Sequence, residues 1–237
     1  GAIRTTPIVF GGNYMKIEGL KINILGDSIT AGSGASSPDK CFVSVLCSKY
    51  GAAARNYGIG GTRISKQQQV SPDPKWDLNF CDRVAAMDDD ADLVLIFGGT
   101  NDYGHGYAPL GDAESRDPYT FYGALHTLYR SVIEKYPNSR IAVLTPMHRL
   151  KENDPGGDRY AYRDHLRGDI APLKTYVEII REVAEYYSLP VLDLYKVSGF
   201  QPEIPVIRTT YLSDGLHPND KGHAMLADMV AKFIETL

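Results

Sequence analysis

The chain has 237 residues, 43% hydrophobic and 23% charged, with a formal net charge of -4. That length buries a substantial core in one domain, and the charge balance leaves no basic excess to neutralise the phosphates of nucleic acid. No apolar run approaches the roughly 20 residues that span a bilayer.

Residues 1–20 read as an N-terminal arm or edge element ahead of a single domain at 21–237. Gly1–Gly12 has no basic stretch followed by an apolar one, so no signal peptide is visible. The three cysteines, Cys41, Cys47 and Cys81, fit neither a zinc pattern nor a disulfide framework. Cys41 and Cys47 lie nearly two helical turns apart, too far for a bridge, and all three read as small apolar residues. The expectation is a cytoplasmic protein.

Lys21–Leu25 (KINIL) reads as a strand that stops at Gly26. Cys41–Tyr50 reads as a helix, Ala53–Tyr57 as a second strand and Asp77–Met87 as a helix. Asp92–Phe97 (DLVLIF) is nearly continuous in apolar residues, as a strand covered on both faces must be. Asp117-Pro118 looks like an N-cap followed by proline, opening a helix to about Tyr136. Arg140–Thr145 is a fourth strand, Pro172–Tyr187 an amphipathic helix and Pro190–Leu194 a fifth strand. A last helix follows Asn219 and presents Met225, Leu226, Met229, Val230, Phe233 and Ile234 to the core. Five strands alternating with helices predict a parallel sheet covered on both faces. Two connections are long, 103–116 and 147–169, and loops of that length are usually functional.

Ligands of open parallel sheets bind beyond the carboxyl ends of the strands. Four polar clusters fall at or beside such positions. Gly26-Asp27-Ser28-Ile29-Thr30 follows the first strand. It is either an ordinary helix cap or a nucleophile set among backbone N–H groups. Asn56-Tyr57-Gly58-Ile59-Gly60-Gly61-Thr62 follows the second strand. Its glycines permit close backbone approach, but the spacing is neither a Walker loop nor GxGxxG. Gly98-Gly99-Thr100-Asn101-Asp102 follows the third, where Asn101 is a possible oxyanion donor and Asp102 a possible Asx-turn cap. Asp214-Gly215-Leu216-His217-Pro218 precedes the last helix. There His217 is a candidate general base, with Asp214 three residues earlier to fix its tautomer.

Each cluster alone has an ordinary structural explanation, but their order is specific. Together they resemble the blocks of the SGNH hydrolases, the GDSL-like lipase/acylhydrolase group, from about Lys21 to the C-terminus. GDSIT matches the nucleophile block with Ile29 in place of leucine. NYGIGGT matches the glycine block, Gly99–Asp102 the GxND block and Asp214–His217 the DxxH block. The resemblance implies an α/β, flavodoxin-like, three-layer α/β/α sandwich with a five-stranded parallel sheet. It implies a Ser28–His217–Asp214 triad and an oxyanion hole of Ser28, Gly61 (less readily Gly60) and Asn101. It implies no metal and no organic cofactor. The absence of a GxSxG elbow argues against the α/β-hydrolase alternative.

The expected activity is hydrolysis of short-chain esters, acetyl above all, of a small polar or carbohydrate-like alcohol. The Tyr-, Gly- and His-rich stretch at 103–107 and the charged stretch at 147–169 point that way. A lysophospholipase, thioesterase or arylesterase is the alternative within the same chemistry. A catalytically silent ligand-binding domain is the alternative outside it. Asp27, Tyr103, His105, Tyr107 and His148 are candidate pocket residues, with Arg149 beside them. His126 reads as structural, His223 as a surface residue of the last helix, and His165 as uninformative. The expected partner is a small-molecule ester, with no nucleic acid and no membrane span; the oligomeric state is left open.

Overall fold

The computed structural model describes residues 14–153 and 171–237. Most of the N-terminal arm, most of the charged stretch at 147–169, and His165 lie outside the described residues. Five strands form one parallel sheet in the order β2-β1-β3-β4-β5. They are β1 (Lys21–Gly26), β2 (Ala53–Gly58), β3 (Leu93–Phe97), β4 (Arg140–Leu144) and β5 (Val191–Leu192). This is the flavodoxin-like order, in which the chain reverses direction across the sheet between β1 and β3 and leaves a crevice beyond their carboxyl ends.

The alternation of side chains along the strands builds two cores. Leu25, Val94, Ile96 and Val143 face one layer, where α5 (Phe121–Lys135) and α6 (Leu173–Tyr186) bury Leu125, Leu128, Val177 and Ile180. Ile22, Ile24, Leu95 and Leu144 face the other, where α2 (Phe42–Tyr50) and α9 (Asp220–Ile234) bury Phe42, Leu46, Leu226 and Val230. Strands buried on both faces carry no polar stripe, which is why Asp92–Phe97 is legible as a strand.

Several boundaries differ from the periodicity. The Asp77–Met87 segment is not one helix. It breaks into a 3₁₀ turn at Pro74–Asp77, the single turn α3 (Phe80–Arg83) and a 3₁₀ turn at Val84–Ala86. Asn79 restarts the chain by accepting from the Asp82 N–H. The fifth α-helix begins at Phe121, not at Pro118, because Thr120 is the true cap and accepts from the Gly123 N–H. The N–H groups of Phe121 and Tyr122 go instead to the carbonyls of Pro109 and Leu110, and Asp117 closes only a turn. The fifth strand pairs over two residues only. Beyond it, Asp193 caps α7 (Leu194–Val197) by accepting from the Lys196 N–H, and α8 (Pro205–Tyr211) follows before α9.

His223 is a correction. It is fully buried, with its ring stacked on Phe42 at 6.3 Å between centroids. Its Nδ1 accepts from the Phe42 N–H at 3.2 Å and its Nε2 lies 3.1 Å from the Ser33 carbonyl. This fits the neutral Nε2–H tautomer, and burial lowers its pKa accordingly. Among the last helix's residues, Leu226, Val230 and Ile234 are buried, whereas Met225, Met229 and Phe233 pack only at the edge. Cys41 is buried and Cys47 and Cys81 are half-buried; all three are free thiols. No helix among the described residues is long and apolar enough to cross a membrane.

Candidate active site

Beyond Gly26 the chain turns straight into the four-residue helix α1 (Ser28–Ala31). Asp27 caps it, its Oδ1 accepting from the Ile29 N–H at 3.0 Å. The turn leaves no room for a side chain at position 26, where a Cβ would lie 2.0 Å from the Thr30 Oγ1. Ser28 is thereby fixed at the start of α1 with its hydroxyl aimed into the crevice. Arg83 braces the turn from below. Its guanidinium donates to the carbonyls of Tyr57 (2.7 Å) and Gly26 (3.1 Å) and to the Thr62 Oγ1 (3.0 Å), tying together the ends of β1 and β2 and the glycine loop.

The Ser28 Oγ lies 2.9 Å from the His217 Nε2, and the His217 Nδ1 lies 2.6 Å from the Asp214 Oδ2. The other Asp214 oxygen accepts from the backbone N–H groups of Leu216 (2.9 Å) and His217 (2.7 Å). This loop is held on both sides. The Leu150 N–H donates to the Gly215 carbonyl at 2.9 Å, and Asn219 caps α9 immediately afterwards. With Asp214 accepting at Nδ1, that nitrogen carries the proton and Nε2 faces the serine as an acceptor, the arrangement a general base needs.

Asn101, in α4 (Thr100–His105), is nearly fully buried and donates its side-chain amide to the Thr62 carbonyl at 3.0 Å. Asp102 does not cap its own helix. It reaches across to the loop after the glycines and accepts from the N–H groups of Ile64 and Ser65 and from the Ser65 hydroxyl. Adjacent residues of α4 therefore hold the glycine loop at separate points. Gly61 sits in that loop at φ +76°, with the edge of the Trp76 indole against it.

Burial and hydrogen bonding push the site's carboxylates in opposite directions. Burial raises the pKa of Asp27 to about 6, against the opposing effects of the Ile29 N–H and of His217 and Arg83 nearby. Asp102 is also raised by burial, despite its three donors. For Asp214 burial also acts upward, but the donors from His217 and Leu216 outweigh it and hold the carboxyl well below the usual carboxylate range. Burial lowers the Arg83 pKa to about 10, with Asp27 opposing.

Ser28, Gly61, Asn101, Asp214 and His217 all line one cleft of about 370 Å³. Of the candidate pocket residues, His105 lines it too. Tyr103 does not: it is buried, and its hydroxyl donates to the Lys151 carbonyl. The helical winding of α4 turns it into the core. Tyr107 is half-buried beside Gln67, whose side-chain oxygen accepts from its N–H at 2.6 Å. His148 pairs with Glu152 at 2.7 Å and packs on Tyr195 at 3.9 Å, and is not among the residues that line the cleft. Asp27 points inward beneath the turn. Arg149 does line the cleft, as do Gly215 and Leu216 of the Asp214–His217 block; Ser33, Trp76, Leu150 and Lys151 line it without any sequence signal, except that Trp76 is the only tryptophan. No His, Cys, Asp or Glu cluster among the described residues is arranged to hold a metal ion.

The search of curated proteins found no match. Among solved structures, a protein from Lactobacillus plantarum is 28% identical, with a TM-score of 0.77 over 93% of this chain and 98% of that one. A two-domain esterase active on acetylated mannans is 22% identical, with a TM-score of 0.58 over 92% of this chain and 49% of that one. The acetyl xylan esterase AlAXEase is 19% identical, with a TM-score of 0.57 over 90% of this chain and 99% of that one. The last two share the fold with this chain. The model of the GDSL-like lipase/acylhydrolase family matches residues 24–225, almost the whole domain. The chain therefore belongs to the GDSL-like lipase/acylhydrolase family and is a carboxylic ester hydrolase.

Proposed function

We propose that this protein is a serine esterase that removes short acyl groups, acetyl above all, from a small polar or carbohydrate-like alcohol. The observation that carries this is the continuous relay from Asp214 through His217 to the Ser28 Oγ, opening on the cleft that holds the Asn101 amide. The Ser28 Oγ attacks the acyl carbonyl carbon while its proton passes to the His217 Nε2. The backbone N–H groups of Ser28 and Gly61, with the Asn101 amide, receive the oxyanion. The tetrahedral adduct collapses, the ester C–O bond breaks, and His217 returns the proton to the departing alcohol. Water, deprotonated by His217, then releases the acid and restores Ser28. The cationic and polar walls supplied by Ser33, Arg149 and Lys151 suit a polar alcohol better than a lipid. The names of two fold neighbours, an esterase active on acetylated mannans and an acetyl xylan esterase, agree with that choice.

The test combines labelling with a substrate series. A fluorophosphonate probe is expected to label the wild type at Ser28 and to leave a folded Ser28→Ala variant unlabelled and almost inactive. Across p-nitrophenyl esters, kcat/KM is expected to be highest for acetyl and propionyl, and a panel of acetylated sugars then identifies the alcohol. Ser28→Ala retaining more than about a twentieth of the activity would remove the nucleophile from this account. A kcat/KM rising steadily through octanoyl and dodecanoyl would replace the short-acyl reading with a lipid one.

A further inference from the structure

The cleft has an aromatic wall that the family motifs do not supply. Trp76 and His105 stand side by side, ring centroids 4.2 Å apart and planes inclined at 35°. Both line the cleft that contains Ser28. The edge of the indole lies directly on Gly61, where a Cβ would come within 2.1 Å of the Trp76 Cδ1 and 2.2 Å of its Nε1.

The wall is built from behind by Arg63, a fully buried residue. One guanidinium nitrogen of Arg63 donates to the Asp77 carboxylate at 2.7 Å and to the Ser71 hydroxyl at 2.6 Å. The other lies 3.2 Å from the His105 carbonyl and 3.3 Å from its Nδ1. Asp77 closes the 3₁₀ turn Pro74–Asp77 that carries Trp76, and its second oxygen accepts from the Ser71 N–H. One buried cation thus fixes the backbone behind both rings. The turn that carries Trp76 is thereby anchored, and the indole itself packs on the His105 ring.

The chemistry decides which part of the substrate meets the wall. His217 must protonate the departing alcohol oxygen, so the alcohol leaves on the side of His217. The oxyanion points to Gly61 and Asn101. The acyl substituent takes the remaining direction, away from His217, and Trp76 is the cleft residue that lies against Gly61 and His105. Resting on the esterase reading above, we infer that Trp76, backed by His105, closes the acyl-binding end of the cleft and sets its preference for short acyl groups. Trp76 is then a specificity-determining residue for the acyl part and not for the alcohol.

The test measures kcat/KM for p-nitrophenyl acetate, butyrate, hexanoate and octanoate on the wild type, Trp76→Ala and Trp76→Phe. A second series varies the alcohol at constant acetyl: p-nitrophenyl acetate, naphthyl acetate and an acetylated xylose. A methylene gained or refused by an apolar pocket changes kcat/KM by about 10-fold or more. Trp76→Ala is therefore expected to raise the hexanoyl-to-acetyl ratio by at least about 10-fold, with Trp76→Phe in between and the order of the acetates unchanged. An unchanged acyl ratio in a folded Trp76→Ala variant overturns the inference, as does a change confined to the alcohol series. If Trp76→Ala fails to fold by circular dichroism, Trp76→Leu and Trp76→Phe carry the same comparison. A wild type that hydrolyses none of these esters overturns the esterase reading itself, a result distinct from an unmoved acyl ratio.

Discussion

The two halves of the cleft are built on opposite plans. Ser28, Gly61 and Asn101 rest on buried turns at the ends of β1, β2 and β3, cross-tied by Arg83 and Asp102. His217 and Asp214 sit on a loop near the surface, and the Asp214 side chain is 56% exposed. Each half contains a carboxylate within the first few residues of its turn, and the two behave differently. Asp27 is buried with one short-range N–H donor, and its charge is penalised. Asp214 is accessible and accepts from three N–H groups, and its charge is favoured. The lesson is that donors, more than proximity to the serine, decide which carboxylate can support a cationic imidazole.

Removing the charge on the exposed side is expected to have the largest effect. Asp214→Asn should lower kcat by roughly 100- to 10,000-fold, because the developing imidazolium loses its partner and the ring its preferred tautomer. The fold should hardly notice, since little of the core touches the loop. Kinetics on one activated ester, beside thermal melts, read both. A rate unchanged at every pH would leave a Ser28–His217 dyad and end the contrast between the carboxylates.

On the buried side, Asn101→Ala is expected to lower kcat roughly 100- to 1,000-fold with little change in KM, as an oxyanion donor does when its bond strengthens only in the transition state. An effect confined to KM would make Asn101 a substrate binder. Its bond to the Thr62 carbonyl is lost too, so the variant's melting temperature must be measured alongside the rate.

The smallest effect should appear in stability. Folded Asp27 holds its proton up to about pH 6, whereas in the unfolded chain it ionises near 3.8. The folded state therefore binds more protons between these values. The stabilisation from Asp27 is complete below about pH 4 and is lost as pH rises through about 6. Asp27→Asn keeps an oxygen to cap Ile29 and carries no charge, so it should gain on the wild type by on the order of 3 kcal/mol between pH 4 and pH 7. Urea midpoints at the two pH values give the difference. Parallel profiles for the two proteins would show that folding does not make Asp27 harder to ionise, and the contrast would fail.

The motif residues and the rest of the cleft were unequally legible in the sequence. Ser28, Gly61, Asn101, Asp214 and His217 could be picked out because four clusters in this order resemble the family's blocks, and they share one cleft. The pocket candidates were chosen by loop membership alone. His105 reached the cleft, while Tyr103, two residues earlier and so about half a turn away around α4, was turned into the core. Nothing local marked Trp76 or Arg83, because their roles depend on partners far along the chain.

By itself the sequence determined the alternation of strands and helices, since continuous apolar runs and 3.6-residue stripes follow directly from which faces must be buried. It also determined the short-range devices, such as the cap at Asp27 and the Asp214–His217 spacing, because their partners lie within three residues. The tertiary structure alone decided the rest. It broke the Asp77–Met87 segment into separate turns, buried His223 between Ser33 and Phe42, and brought Trp76 against Gly61. Each of these is a contact between residues distant in sequence. Helical periodicity and cap signals report which face is apolar and where a turn begins, and they carry no information about which distant side chain will fill the space opposite.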